Sequence, residues 1–256
     1  MGSEHPPQGQ DHRNTPGAFA ALFPPGVIAV ERRGDLEPEA LSEAESESLG
    51  RAAPQRRREF AAGRECARRA LARCGVEGAV IGRGADRRPL WPAPFVGSIA
   101  HTAEYAAAAV AHRNDFASLG MDVERREAVG EHLWRRIAVP LELDWIGTLP
   151  VGERVSAATL LFSAKEAIYK CVYPWLGLRL GFQDVALEVR FDGESAGTLE
   201  VRGCGAAPPL PALTARFRWD GRYVLTAVAV PADAAPCKRD PGELADELVQ
   251  GAGGHR

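Results

Sequence analysis

Ser156-Ala157-Ala158-Thr159-Leu160-Leu161-Phe162-Ser163-Ala164-Lys165-Glu166-Ala167-Ile168-Tyr169-Lys170-Cys171 is the stretch on which the fold turns. Leu160, Ala164, Ala167, Ile168 and Cys171 recur at helical spacing, so the segment reads as a helix with one buried stripe. Glu166 and Lys170 lie four apart on the opposite face. On an exposed helix such a pair contributes only ~0.3–0.5 kcal/mol. Turned toward a cleft, it would offer a carboxylate and a cation to a ligand.

Downstream, short apolar runs at 185–191, 199–203 and 213–219 read as strands, and Asp220-Gly221 is a hairpin turn into 223–230. Upstream, a helical stretch from about Glu131 is interrupted at Pro140. Runs at 95–100, 106–111 and 118–123 read as an antiparallel meander, and a helix from about Gln55 to Cys74 has Pro54 in its first turn and Gly75 just past its end. Phe60, Ala67, Ala70, Leu71 and Cys74 form its apolar face, while Arg57, Arg64 and Arg68 project together from a neighbouring one. The order helix, strands, helix, strands gives an α+β fold of two halves with similar make-up. We place the halves at 21–117 and 118–231, between a disordered segment over 1–20 and a flexible tail over 232–256 that holds a possible short helix at 241–250.

The chain has 256 residues and a net charge of -3, distributed unevenly. Asp35 to Glu47 holds six acids and no base, whereas Arg51 to Arg88 holds eleven arginines against four acids. Such a patch is either a solvated helix face or the seat of an anion. The overall acidity and the lack of aromatics interleaved with these arginines argue against a nucleic-acid protein. Five cysteines without a C-x-x-C pair indicate neither a disulfide framework nor a zinc knuckle. With no apolar leader and no membrane-length segment, a soluble, cytoplasmic protein is expected.

Gly120-Met121-Asp122-Val123-Glu124 closes a strand, where residues two apart project to the same side, so both carboxylates can face one point. Mg²⁺ suits such a place, because it takes few carboxylates and completes its octahedron with water and phosphate oxygens. A solvated strand edge is the alternative. Joined to Glu166, Lys170 and the arginines, the two acids make a site for a metal-bound pyrophosphate.

Three segments in order, Trp91-Pro92 with Gly97-Ser98-Ile99-Ala100-His101-Thr102, then Gly120–Glu124, then Phe162–Lys170, resemble the motif set of the larger, monomeric 4′-phosphopantetheinyl transferases. Arg56-Arg57-Arg58-Glu59-Phe60, Gly63-Arg64 and Cys66-Ala67-Arg68 are similar to the N-terminal helix of the branch that serves siderophore synthesis, and Tyr173-Pro174 and Gly181-Phe182-Gln183-Asp184 fit that branch too. The resemblance covers about residues 50 to 190. It implies a pseudo-dimer of two α+β halves with coenzyme A in the cleft between them. Asp122, Glu124 and Glu166 would hold Mg²⁺, or Mn²⁺, with Asp122 also close to the ligand. Arg56, Arg64, Arg83 and His101 would engage the adenosine phosphates, and Lys170 the pyrophosphate.

The implied reaction moves phosphopantetheine from coenzyme A to a serine of an acyl, peptidyl or aryl carrier protein of fatty-acid, polyketide or nonribosomal peptide synthesis, and adenosine 3′,5′-bisphosphate leaves. Neither nucleic acid nor membrane is an expected partner. Glu166 would be the base, directly or through water, with Lys165 and Lys170 stabilising charge. Ala100 stands where the family often has Ser or Thr, so Ser98 or Thr102 would supply that hydroxyl; Arg83 stands where lysine is common. Tyr173-Pro174-Trp175-Leu176 reads as an apolar docking loop for the carrier, unless Trp175 closes the core. A carrier-binding module without chemistry and a metal-dependent phosphohydrolase are the rival readings.

Overall fold

The structure is a computed structural model that describes residues 17–34, 36, 41–47, 49, 51–204 and 210–234. From the N-terminal side, β1 (Ile28–Arg33), α1 (Glu43–Glu47) and α2 (Pro54–Arg73) lead into β2 (Phe95–Thr102), β3 (Tyr105–His112) and β4 (Phe116–Arg125). There follow α3 (Trp134–Ile137), α4 (Pro140–Thr148) and α5 (Val151–Leu176), and then β5 (Val185–Phe191), β6 (Ala196–Gly203), β7 (Leu213–Asp220) and β8 (Tyr223–Pro231). The possible helix at 241–250 and residues 1–16 lie outside the described residues.

The strands form two antiparallel sheets, one in the order β1-β3-β2 and the other in the order β4-β8-β7-β6-β5. The expected meander of β2, β3 and β4 is therefore corrected. β2 and β3 form a hairpin, but β4 crosses to the second sheet and pairs with β8, with Asp122 opposite Thr226. β1, absent from the sequence reading, fills the vacated edge by pairing with β3. Its three apolar residues are consecutive and its second half is Glu31-Arg32-Arg33, so it lacks the alternation that marks a half-buried strand.

Each sheet carries one long helix. On α2, Ala62, Cys66, Ala67, Ala70 and Leu71 are buried against Val30, Ala106, Ala108 and Val110 of the smaller sheet. On α5, the stripe foreseen from the sequence is fully buried against the larger sheet, where it meets Leu199, Phe217 and Val228. A third cluster, including Val96, Tyr105, Leu119, Met121 and Leu225, fills the seam between the sheets. The Met121 N–H donates to Ser98 Oγ at 3.1 Å and ties β4 to β2 there. Two α+β units thus face each other across β2 and β4.

α5 runs further than the expected 156–171. Pro174 lies inside its last turns, and the helix stops at Gly177, whose left-handed φ of 70° lets its N–H reach back to the Tyr173 carbonyl at 3.0 Å. Tyr173-Pro174-Trp175-Leu176 is consequently helix rather than loop. Trp175 and Leu176 are partly buried against the core of the larger unit, so Trp175 packs on that core.

Among the described glycines, the closest approach is at Gly120. A Cβ built there would lie 2.0 Å from the Ala167 carbonyl oxygen and 2.8 Å from the Cys171 Cβ, both on α5. Gly120→Ala should cost at least ~3 kcal/mol through forced separation of strand and helix. Gly147→Ala, in α4 with nothing within 4 Å of its Cβ, should instead gain ~0.5–1 kcal/mol. Urea midpoints of the two variants check this pair of opposite shifts.

Candidate active site

The seam between the units opens into a cavity of about 750 Å³. Arg56 and Arg64 of α2, Arg83 of the following loop and His101 of β2 line one side; Asp122 and Glu124 of β4 and Glu166 and Lys170 of α5 line the other. The strand alternation that places Asp122 and Glu124 together and the four-residue spacing of Glu166 and Lys170 both open onto this space.

Lys170 donates to Asp122 Oδ1 at 2.6 Å, while Asp122 Oδ2 is buried without a hydrogen-bond partner among the described residues. Burial would lower the Lys170 ammonium, but Asp122, Glu166 and Glu124 together raise it, so it stays charged. Glu124 is pushed up to about 7, first by burial and then by the negative charges of Asp122 and Glu166, against the opposing pull of Lys170. Glu166 is also raised by burial, with Lys170 opposing and Asp122 adding to the rise. These carboxylates are held in mutual repulsion, with a single lysine between them.

Among the described residues, no group of three or more His, Cys, Asp or Glu side chains is gathered tightly enough to hold a metal ion. Asp122, Glu124 and Glu166 therefore face one another without forming a finished cage. The donors nevertheless suit a hard divalent cation: all are carboxylate oxygens, one is buried and orphaned, and added positive charge would relieve their repulsion.

On the opposite wall, Arg56 Nη1 stands 3.2 Å from His101 Nε2, and the imidazole lies on Glu59 at 3.6 Å. Since arginine can only donate, Nε2 accepts and the ring proton sits on Nδ1, which is buried and without a hydrogen-bond partner. Burial, then Arg56 and Lys170, hold His101 down to about 3, against the opposing effect of a backbone hydrogen bond. The ring is neutral at physiological pH.

The arginine row is less open than its spacing suggested. Arg64 is buried; its Nε donates to the Ile81 carbonyl at 2.8 Å, Nη2 to that of Gly82 at 3.3 Å, and its guanidinium lies over Phe60. Burial lowers it to about 10, with Glu45 opposing and Arg83 and Arg68 adding, so it remains protonated. Arg68 is held by the fully buried Glu45, and Arg57 donates to Ser46. One acid of the acidic segment, Glu45, thus pairs with an arginine of α2.

Lys165 requires a correction. Its ammonium is buried away from the cavity and donates to Glu142 Oε2 at 2.7 Å and to the carbonyls of Phe182 at 2.8 Å and Ile137 at 2.9 Å. Glu142 in turn accepts from the N–H groups of Val139 and Leu187, both at 2.8 Å. Burial raises Glu142 and lowers Lys165, and their mutual attraction and hydrogen bonds oppose both shifts. With all three ammonium protons committed, Lys165 is a structural tie between α3, α4, α5 and the turn before β5. Thr102 is also set apart: it is not a wall of the cavity, and its Oγ1 is buried without a partner. Ser98 reaches the wall, with its oxygen accepting from Met121.

Arg87, Arg88 and Arg113 also line the cavity and were not singled out in the sequence, whereas Tyr173, read there as part of a docking loop, lines the cavity instead. Arg87 and Arg88 belonged to the counted arginine excess, but nothing in their spacing distinguished them from surface charges.

Arginines on one wall face carboxylates and a lysine on the other; comparison with known proteins identifies the family. Residues 44–111 match the model of the 4′-phosphopantetheinyl transferase N-terminal domain, and residues 118–228 match that of the 4′-phosphopantetheinyl transferase superfamily. The chain is 35% identical over 219 residues to 4′-phosphopantetheinyl transferase Npt of Nocardia iowensis, covering 81% of this chain and 97% of that one. It is 34% identical over 244 residues to 4′-phosphopantetheinyl transferase Svp of Streptomyces mobaraensis, covering 92% and 95%. Enterobactin synthase component D of Salmonella austin is 36% identical over 124 residues, covering 48% of this chain and 50% of that one. The chain belongs to the 4′-phosphopantetheinyl transferase superfamily, whose fold and class of activity it shares.

Two measurements test this geometry. The unfolded chain binds a proton at His101 below about pH 6.5 and the folded one only near 3, so this residue's contribution is intact above 6.5 and is lost as pH falls from there. His101→Gln should therefore flatten the fall of Tm between pH 7 and 4.5. Lys165→Met leaves Glu142 buried and uncompensated and should cost ~3–5 kcal/mol in chemical denaturation; adding Glu142→Met should recover part of that loss.

Proposed function

We propose that this protein transfers the 4′-phosphopantetheine arm of coenzyme A to a serine of an apo carrier protein in a Mg²⁺-dependent reaction that releases adenosine 3′,5′-bisphosphate. The observation that carries the reading is Asp122, with one oxygen on Lys170 and the other buried and unsatisfied at the mouth of an arginine-lined cavity. The family supports phosphopantetheine transfer to carrier proteins. The resemblance to enterobactin synthase component D favours peptidyl or aryl carrier domains as acceptors.

Coenzyme A presents a 3′-phosphate and a pyrophosphate, and planar guanidinium groups with neighbouring donors bind such oxygens well. Arg56, which His101 holds through Nε2, and Arg83 would face the adenosine phosphates, and Arg64, through the hydrogen bonds it makes to Ile81 and Gly82, supports the wall that carries Arg83. Lys170 faces the pyrophosphate. Asp122, Glu124 and Glu166 would hold Mg²⁺, or Mn²⁺, which when bound supplies charge neutralisation at the pyrophosphate.

The carrier serine Oγ attacks the pyrophosphate phosphorus nearer the pantetheine. A new P–O bond forms as the bond to the bridging oxygen breaks, and the adenosine bisphosphate departs with the electron pair. The serine proton passes to Glu166, whose raised pKa makes it a stronger base than an ordinary surface carboxylate. Lys170 stabilises charge on the leaving group. Lys165 acts only through the position of α5.

The test is incubation with coenzyme A, Mg²⁺ and a panel of apo carrier proteins, followed by mass measurement. The expected result is a carrier heavier by one phosphopantetheine, with adenosine 3′,5′-bisphosphate released; absence of transfer to every carrier would overturn the reading. Glu166→Gln should lower transfer ~10²–10⁴-fold while coenzyme A still binds by calorimetry. Near wild-type transfer by this variant in limiting Mg²⁺ would remove Glu166 from both roles.

A further inference from the structure

Between α2 and β2 the chain makes a tight loop over the cavity. Leu90 N–H donates to the Gly82 carbonyl at 3.0 Å, Gly84 N–H to the Arg88 carbonyl at 2.9 Å, and Arg83 bridges Pro89. Its base is fixed from both sides of Ile81, whose N–H donates to Glu45 at 3.2 Å and whose carbonyl accepts from Arg64 at 2.8 Å. At its tip, Asp86 Oδ1 accepts from the Arg88 N–H at 3.2 Å, and Oδ2 accepts from Arg88 Nε at 2.5 Å. Arg87 between them takes a left-handed φ of 71°.

The Arg88 guanidinium crosses the seam. Its Cζ stands 5.0 Å from the centroid of the Tyr173 ring on α5, and that ring is stacked on Tyr169 at 5.5 Å with an interplanar angle of 7°. One edge of the fork is thus held by a carboxylate and one face by an aromatic ring from the opposite unit. Both Nη nitrogens lack a hydrogen-bond partner among the described residues, and the side chain is 41% exposed at the cavity wall. Arg64 differs in that its donors are already committed to backbone carbonyls.

We propose that Arg88 is a further phosphate-binding residue of the cleft, held ready by Asp86 and by the Tyr173 ring. Loss of rotamer freedom is the main cost of binding an anion with a long flexible cation. Here that freedom is restricted before ligand arrives, and the paired Nη donors suit two oxygens of one phosphate. This inference rests on the reading of the cavity as the coenzyme A site.

Calorimetric titration of coenzyme A at fixed ionic strength tests it. Arg88→Met should raise Kd about 10- to 100-fold, the value of a charged hydrogen bond, and Arg88→Lys should recover only part because it lacks the fork. Tyr173→Leu should weaken binding as well. Combined with Arg88→Met it should add little, since the ring acts through Arg88. If the wild-type protein binds coenzyme A and Arg88→Met, with unchanged Tm, stays within about twofold of it, Arg88 has no such role and the cleft reading stands. Additive losses in the double variant would remove Tyr173 as the platform. A wild-type protein that fails to bind coenzyme A overturns both readings together.

Discussion

The contact between β4 and α5 at Gly120 governs the arrangement of the cleft. With no side chain at 120, the strand lies directly against the Ala167 carbonyl. Two residues further along β4 comes Asp122, and three residues further along α5 comes Lys170, so the same approach brings carboxylate and ammonium to 2.6 Å. A wider spacing would separate these charges and would also move Glu124 and Glu166 out of each other's field. The electrostatics of the site thus follow from the absence of one methyl group.

The second constraint is the seam between the sheets. β4 leaves the hairpin that precedes it and joins β8, yet remains tied to β2 through Ser98. Acidic and basic walls therefore come from different units: arginines and His101 from the smaller, carboxylates and Lys170 from the larger. The seam itself is apolar and tightly filled, with Tyr105, Leu119 and Met121 fully buried. That packing holds the opposing walls in register without a covalent tie.

The long helices were legible because their signals are local. The stripe of Leu160, Ala164, Ala167, Ile168 and Cys171 and the Pro54 and Gly75 boundaries need no knowledge of distant partners. Asp122, Glu124, Glu166 and Lys170 were legible as a set because strand and helix periodicity each place two of them on one side. The partner of β4 was not legible, since strand pairing is non-local and β8 lies about a hundred residues away in the chain. The fate of Lys165 was hidden for the same reason: Glu142, Ile137 and Phe182 reach it only through the tertiary fold. The Glu45–Arg68 pairing had a visible hint, six acids followed closely by eleven arginines, but charge counts do not say which side chains become buried.

The buried Lys165–Glu142 pair and the open arginine wall lie within one molecule but belong to different electrostatic regimes. Mobile ions reach the wall and shorten the range of its field to a Debye length of about 8 Å at physiological ionic strength. They do not enter the space around a pair whose side chains are 2% and 1% exposed. Raising salt therefore weakens the field of the arginine wall while leaving the scaffold behind Glu166 unchanged, so ionic strength separates what the cleft attracts from what holds α5 in place.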